Sequence, residues 1–265
     1  MDGSPSPRLA GGSATPVVAC LLLLCLAACS RPEAVRESAG EATGPAYGDT
    51  LVEASIGDIS GLIPNITSDS SSQEVGGLIY SGLVRTDKDL RVEGELAERW
   101  DVSADELTLT FHLRRGVKWQ DGEPVTARDV DFTSRYMVDP KTPTAYGEPF
   151  RQIRKAEVVD PNTYRVTYDK PYAPALLSWG TWILPSHILE PAWKAGEDLR
   201  TTRQNRFPVG SGPYVFKEWK TGEKIVLESN PDYWEGRPYL NRVVYRIIPD
   251  QSTISALRIW RKGSP

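Results

Sequence analysis

The stretch from Leu107 to Pro140, LTLTFHLRRGVKWQDGEPVTARDVDFTSRYMVDP, restricts the fold more than any other part of the chain. Leu107, Leu109, Phe111 and Leu113 alternate with Thr108, Thr110 and His112, so a strand here carries one apolar face that demands a core. Gly116 interrupts the alternation, Val117 and Trp119 resume it, and Asp121-Gly122 supplies the positive φ of a tight turn. Thr126 to Asp129 reads as a helix start: the Thr126 hydroxyl can accept the free N–H of residue 129, and Asp129 suits the positive end of a helix. Val130, Phe132, Tyr136 and Met137 give that helix a broad apolar side. Asp139-Pro140 ends it, because the residue before proline is pushed out of the α region.

A chain of 265 residues has room for one large domain or two small ones. The formal net charge of −4 offers no basic field for a nucleic-acid partner. Cys20, Cys25 and Cys29 all lie near the N-terminus, so no disulfide or cysteine metal site is expected in the rest. His112 falls on the polar face of a strand and His187 follows Pro185-Ser186 at a helix start, positions that suit surface or capping roles better than metal ligation. No His or Cys dyad, nucleophile elbow or singled-out carboxylate pair can be assembled. The expectation is a protein without catalysis, metal or cofactor.

The run Thr110-Phe111-His112-Leu113-Arg114, followed by Gly116 to Val130, resembles the extracytoplasmic solute-binding proteins of ABC transporters that take up dipeptides, oligopeptides and nickel. The resemblance extends along the chain. Gly94 to Trp100 is similar to the family's "P.LAe.W" segment, with Gly94-Glu95 where a proline is common. Trp179 to Ile188 resembles its return strand and "iLPkH.l" ending. Asn230 to Trp234, Gly236-Arg237-Pro238 and Val243 to Ile248 resemble its "NpdYW.g.P.l..v..r.i.d" pattern.

This resemblance implies a mixed α/β fold, the first lobe of a two-lobe periplasmic-binding-protein type II architecture. Residues 48–80 and 186–265 would form its core subdomain and residues 81–185 an inserted one. It further implies a peptide ligand and permease subunits as partners, with a nickel chelate, an opine or an oligosaccharide as alternative ligands. The segment 66–73, rich in serine, reads as a loop, and in the family the corresponding loop lines the ligand, here with Ser68, Asp69 and Ser70. Tyr146, in a proline-rich loop near the cleft, could stack on a ligand, and Trp179 and Trp182 are the tryptophans expected to face it. Trp100, Trp119, Trp219 and Trp234 sit within patterned elements and are expected to pack. A helix is expected over residues 75–83, where small residues suggest close packing. Two further hairpins are expected, one turning at Asp160-Pro161-Asn162 and one with arms Tyr214–Trp219 and Lys224–Glu228. The Gly210-Ser211-Gly212-Pro213-Tyr214 run lacks the lysine of a phosphate-binding loop and reads as backbone geometry.

The two ends carry separate expectations. Val17 to Leu26 is almost wholly apolar but too short to span a bilayer, which takes about 20 residues. Leu26-Ala27-Ala28-Cys29 resembles a lipobox, so residues 1–28 are expected to be a lipoprotein signal peptide and Cys29 the lipidated first residue of an exported, membrane-anchored protein. Residues 29–47 lack apolar periodicity and read as a flexible tether. Asp250 and Ser252 would cap a short helix through Leu257. From Arg258 on, a short basic end stands where family members continue into a second lobe, which gives the expectation of a truncated or frame-shifted reading frame with that lobe absent. The alternatives are a secreted hydrolase acting on a peptide or sugar, and a remnant that binds nothing.

Overall fold

A computed structural model of the protein describes residues 46–250. The leader with Cys29, most of the tether, and the expected helix from Ser252 to Leu257 lie outside the described residues. In chain order the main elements are β1 (Gly48–Ser55), α1 (Ser70–Ile79), β2 (Val84–Thr86), β3 (Val92–Gly94), β4 (Ala97–Val102), β5 (Thr108–Leu113), α2 (Ala127–Val138), β6 (Ile153–Asp160), β7 (Thr163–Tyr168), α3 (Ser186–Lys194), β8 (Tyr214–Lys220), β9 (Lys224–Ser229) and β10 (Leu240–Ile247).

The strands form two four-stranded sheets and a ribbon. One sheet has the order β1-β10-β9-β8, with β1 parallel to β10 and the other pairs antiparallel. The other has the order β4-β5-β7-β6, antiparallel throughout, and β2 pairs with β3 between them in sequence. Both expected hairpins, β6–β7 and β8–β9, are present.

The alternation read in β5 takes physical form: Leu109, Phe111 and Leu113 are buried, as are Tyr164, Val166 and Tyr168 opposite them on β7. Helix α2 packs across β6 and β7 with Val130, Phe132 and Met137 fully buried. Between strand and helix the chain reverses at Gly122, whose φ is +96°; its N–H donates to Trp119 O at 2.9 Å, and the Trp119 N–H donates to Glu123 O at 2.8 Å. Trp119 is buried there. The capping box at Thr126 and Asp129 forms, with the Thr126 N–H donating to Asp129 Oδ2 at 2.8 Å.

Helix α1 begins earlier than expected and ends earlier. Asp69 caps it by accepting the Ser72 N–H at 2.8 Å, so of the expected loop Ser70 to Gln73 form the first turn of a helix, while Thr67 to Asp69 remain irregular. The helix stops at Ile79 because the next groups are engaged elsewhere: the Gly82 N–H donates to Glu95 Oε2 at 2.8 Å and the Leu83 N–H to Trp179 O at 2.8 Å. Gly82 also passes so close to Gly180 that an added Cβ would lie 2.8 Å from its carbonyl oxygen. The Gly210–Tyr214 run is backbone geometry of the same kind: the Gly212 N–H donates to Ile79 O at 2.8 Å, which docks β8 against the end of α1. One continuous apolar core joins α1, α2 and both sheets, and Trp100, Trp219 and Trp234 pack against its edge.

Candidate ligand-binding surface

Asn65 organises the surface on which most of the predicted site residues lie. It sits fully buried in the 3-10 turn Pro64–Ile66. Its Nδ2 donates to Trp182 O at 3.0 Å and lies 3.7 Å from Met137 Sδ at the end of α2. The Thr144 hydroxyl approaches the same sulfur at 4.0 Å and also receives the Tyr146 N–H at 3.1 Å. Three distant segments are therefore linked through Asn65 and Met137: the turn leading into Ser68–Ser70 and the segment carrying Trp182 by Asn65 itself, and the loop carrying Tyr146 by the Met137 sulfur that Asn65 approaches. Gln73 locks the turn from α1, its Nε2 donating to Pro64 O at 2.7 Å and to Thr67 O at 2.6 Å.

Around this anchor Ser68 and Ser70 are exposed, Tyr146 is 36% exposed, and the half-buried Trp182 ring lies 3.8 Å from the position a Cβ would take on Gly77 of α1. Asp69 is less available than its neighbours. Its Oδ2 receives the Ser60 hydroxyl at 2.5 Å while its Oδ1 caps α1. Burial pushes its carboxyl up, but the hydrogen bonds from Ser60 and Ser72 hold it below the usual range.

Trp179 corrects the expectation that both tryptophans face a cleft. It is 0% exposed and enclosed by Phe111, Phe150 and Tyr164, with ring centroids at 5.4, 5.1 and 5.5 Å. Its Nε1 donates to Tyr168 Oη at 3.3 Å. It follows the one-turn helix Ala175–Ser178 and packs its indole on Phe111 of β5 and Tyr164 of β7, whereas Trp182 is only half-buried.

A second feature went unrecognised in the sequence. Tyr80, Val84, Arg85, Glu95, Leu177 and Trp182 line a pocket of about 350 Å³ between the β2–β3 ribbon, the end of α1 and residues 177–182. Burial pushes the Glu95 carboxyl up to about 7, against the opposing pull of the Gly82 N–H that donates to it. Arg85 is held by Glu93 at 2.6 Å and by both oxygens of Glu235 at 2.7 Å. The available signal was the departure at Gly94-Glu95, where the resembled pattern has proline. Among the described residues no group of three or more His, Cys, Asp or Glu side chains is arranged to hold a metal ion.

Comparison with known proteins gives concordant results. Residues 91–261 match the bacterial extracellular solute-binding proteins, family 5 Middle. The oligopeptide-binding protein AppA of Bacillus subtilis is 36% identical over 244 residues, covering 89% of this chain and 44% of AppA. The solved structure of AppA in complex with a nonapeptide superposes with a TM-score of 0.74 at 34% identity, covering 80% of this chain and 42% of that one. NikZ from Campylobacter jejuni, in complex with Ni(L-His), superposes with a TM-score of 0.72 at 32% identity over 81% of this chain and 42% of its own. The chain thus spans less than half the length of the relatives it matches, and the resemblance read from the sequence is to this same family.

Proposed function

This chain belongs to the bacterial extracellular solute-binding proteins of family 5, and we propose that it captures di- and oligopeptides outside the cytoplasm and delivers them to the permease subunits of an ABC importer. In this reading Cys29 carries the lipid anchor, residues 48–80 and 186–265 form the core subdomain of one lobe, and residues 81–185 form the insert. Ser68, Ser70, Tyr146 and Trp182 supply one wall of the ligand site, and Asp69 positions that wall by capping α1.

The observation that carries the proposal is the junction at Asn65 and Met137, which brings three polar or aromatic segments together on an otherwise well-packed lobe. Exposed serine hydroxyls suit the alternating donors and acceptors of a peptide backbone, and the two aromatic rings supply apolar contact that tolerates varied side chains. Relatives with the same framework include one named for oligopeptide binding.

Titration calorimetry with di- to nonapeptides, using the whole protein, tests this reading. Saturable binding is expected, weakened by Tyr146→Ala and by Trp182→Ala and unchanged by Val158→Ala on the exposed side of β6. A protein that binds no peptide but takes a sugar saturably overturns the proposal.

A further inference from the structure

We infer that the pocket between the β2–β3 ribbon, the end of α1 and residues 177–182 receives a primary ammonium group on the carboxylate of Glu95. The inference deepens the reading of this chain as a ligand-capturing protein, because the pocket shares Trp182 with the proposed wall, and it names the charge class of the ligand.

The walls and floor differ in chemistry. Leu177 and Trp182, backed by the nearly buried Tyr80 and Val84, offer apolar surface for a methylene chain, and the Glu95 carboxyl lines the same pocket. Glu95 Oε2 accepts the Gly82 N–H at 2.8 Å, but no cationic side chain among the described residues pairs with it. Arg85, whose charge acts on Glu95, is already engaged by Glu93 and by both oxygens of Glu235. Tyr80 is 1% exposed, and its hydroxyl has no hydrogen-bond partner, an unsatisfied polar atom in a residue that lines the pocket.

The charge around Glu95 favours a cation over an anion. Arg85 faces it from β2, Glu93 lies on β3, and Arg114, whose Nε donates to Glu95 O at 2.7 Å, follows β5. Tyr233 and Glu235 approach from the segment before β10. Two guanidinium groups thus stand against three carboxylates once Glu95 is ionised, which leaves a negative excess for an ammonium to neutralise. Because burial raises the Glu95 carboxyl to about 7, an ammonium must expel its proton below that pH. Affinity is therefore expected to rise with pH to about 7 and then level off.

The test uses n-butylammonium, with n-butanol and butyrate as neutral and anionic counterparts, followed by NMR at the Gly82 amide and the Trp182 indole. At pH 8 butylammonium is expected to bind about tenfold more tightly than butanol, in keeping with a charge-assisted hydrogen bond. Its affinity is expected to drop about tenfold by pH 6. Glu95→Gln retains an oxygen for the Gly82 N–H and should abolish both the preference and the pH dependence. Equal binding of amine and alcohol, a preference for butyrate, or a preference that survives Glu95→Gln overturns the inference. The wild-type pH series stands even if that variant folds poorly. Among peptides, Ala-Lys-Ala is compared with Ala-norleucine-Ala and with acetylated Ala-Lys-Ala. Weakening by norleucine assigns the ammonium to a lysine side chain, weakening by acetylation assigns it to the amino terminus, and weakening by neither overturns the inference. If butylammonium binds and no peptide does, the capture reading fails and this site remains.

Discussion

Asp129 and Ser186 are 57 residues apart in sequence and share one carboxylate oxygen: Asp129 Oδ1 accepts the Ser186 N–H at 2.9 Å and its hydroxyl at 2.7 Å. The other oxygen caps α2 at Thr126, so one buried side chain holds the starts of α2 and α3 together. Asp129→Ala removes the acceptor of four donors, the N–H and hydroxyl of Ser186 and those of Thr126, and is expected to cost about 2 to 4 kcal/mol. Ser186→Ala removes only one donor and should cost about 1 kcal/mol. Urea unfolding midpoints compare the two, and equal losses would mean that the hydroxyl, not the cap, carries the contact.

The aromatic core makes a second expectation. Trp119→Ala and Trp179→Ala each empty a fully enclosed site and should cost about 3 to 5 kcal/mol. Ser70→Ala, on the exposed first turn of α1, should stay within about 0.5 kcal/mol. Thermal and denaturant unfolding of the three variants decides. Loss of peptide binding by Ser70→Ala without loss of stability would place its hydroxyl on the ligand.

How much of this was legible in the sequence follows from how local each signal is. The β5–turn–α2 unit was readable because alternation, Asp121-Gly122 and the Thr126/Asp129 cap all act within a few residues. The start of α1 was misread because a serine-rich run resembles a solvated loop until its cap at Asp69 is recognised. Trp179 and Trp182 are indistinguishable by spacing; packing on Phe111 and Tyr164 decides which is enclosed. The departure at Gly94-Glu95 marked the position but not its environment, since Gly82, Leu177 and Trp182 line the pocket with Glu95 only once the tertiary fold brings them to it.

Glu190 predicts how the protein responds to acid. Burial would raise its carboxyl, but Arg135 at 2.7 Å, Lys194 at 3.0 Å and Arg128 at 3.2 Å pull it down to about 2, from an ordinary 4.5. A depressed carboxyl contributes stability that is full above the unfolded value and is lost as pH falls from 4.5 toward 2. Glu190→Gln should therefore flatten the stability curve across that window. Wild-type and variant curves that run parallel below pH 4.5 would rule this out.

Glu95 should act with the opposite sign. Unfolded, its carboxyl titrates near 4.5; folded, burial holds it near 7. Between those values the folded chain binds more protons than the unfolded one, so this group makes stability fall as pH rises through the window and adds no slope outside it. Glu95→Gln cannot ionise, yet its amide oxygen still accepts the Gly82 N–H. At pH 4 the variant and the wild type should therefore be about equally stable. At pH 8 the variant should be more stable, by on the order of 3 kcal/mol. Denaturant unfolding at intervals from pH 4 to pH 8 measures the difference directly. If the two proteins keep a constant gap across that range, burial does not raise the Glu95 carboxyl above its ordinary value.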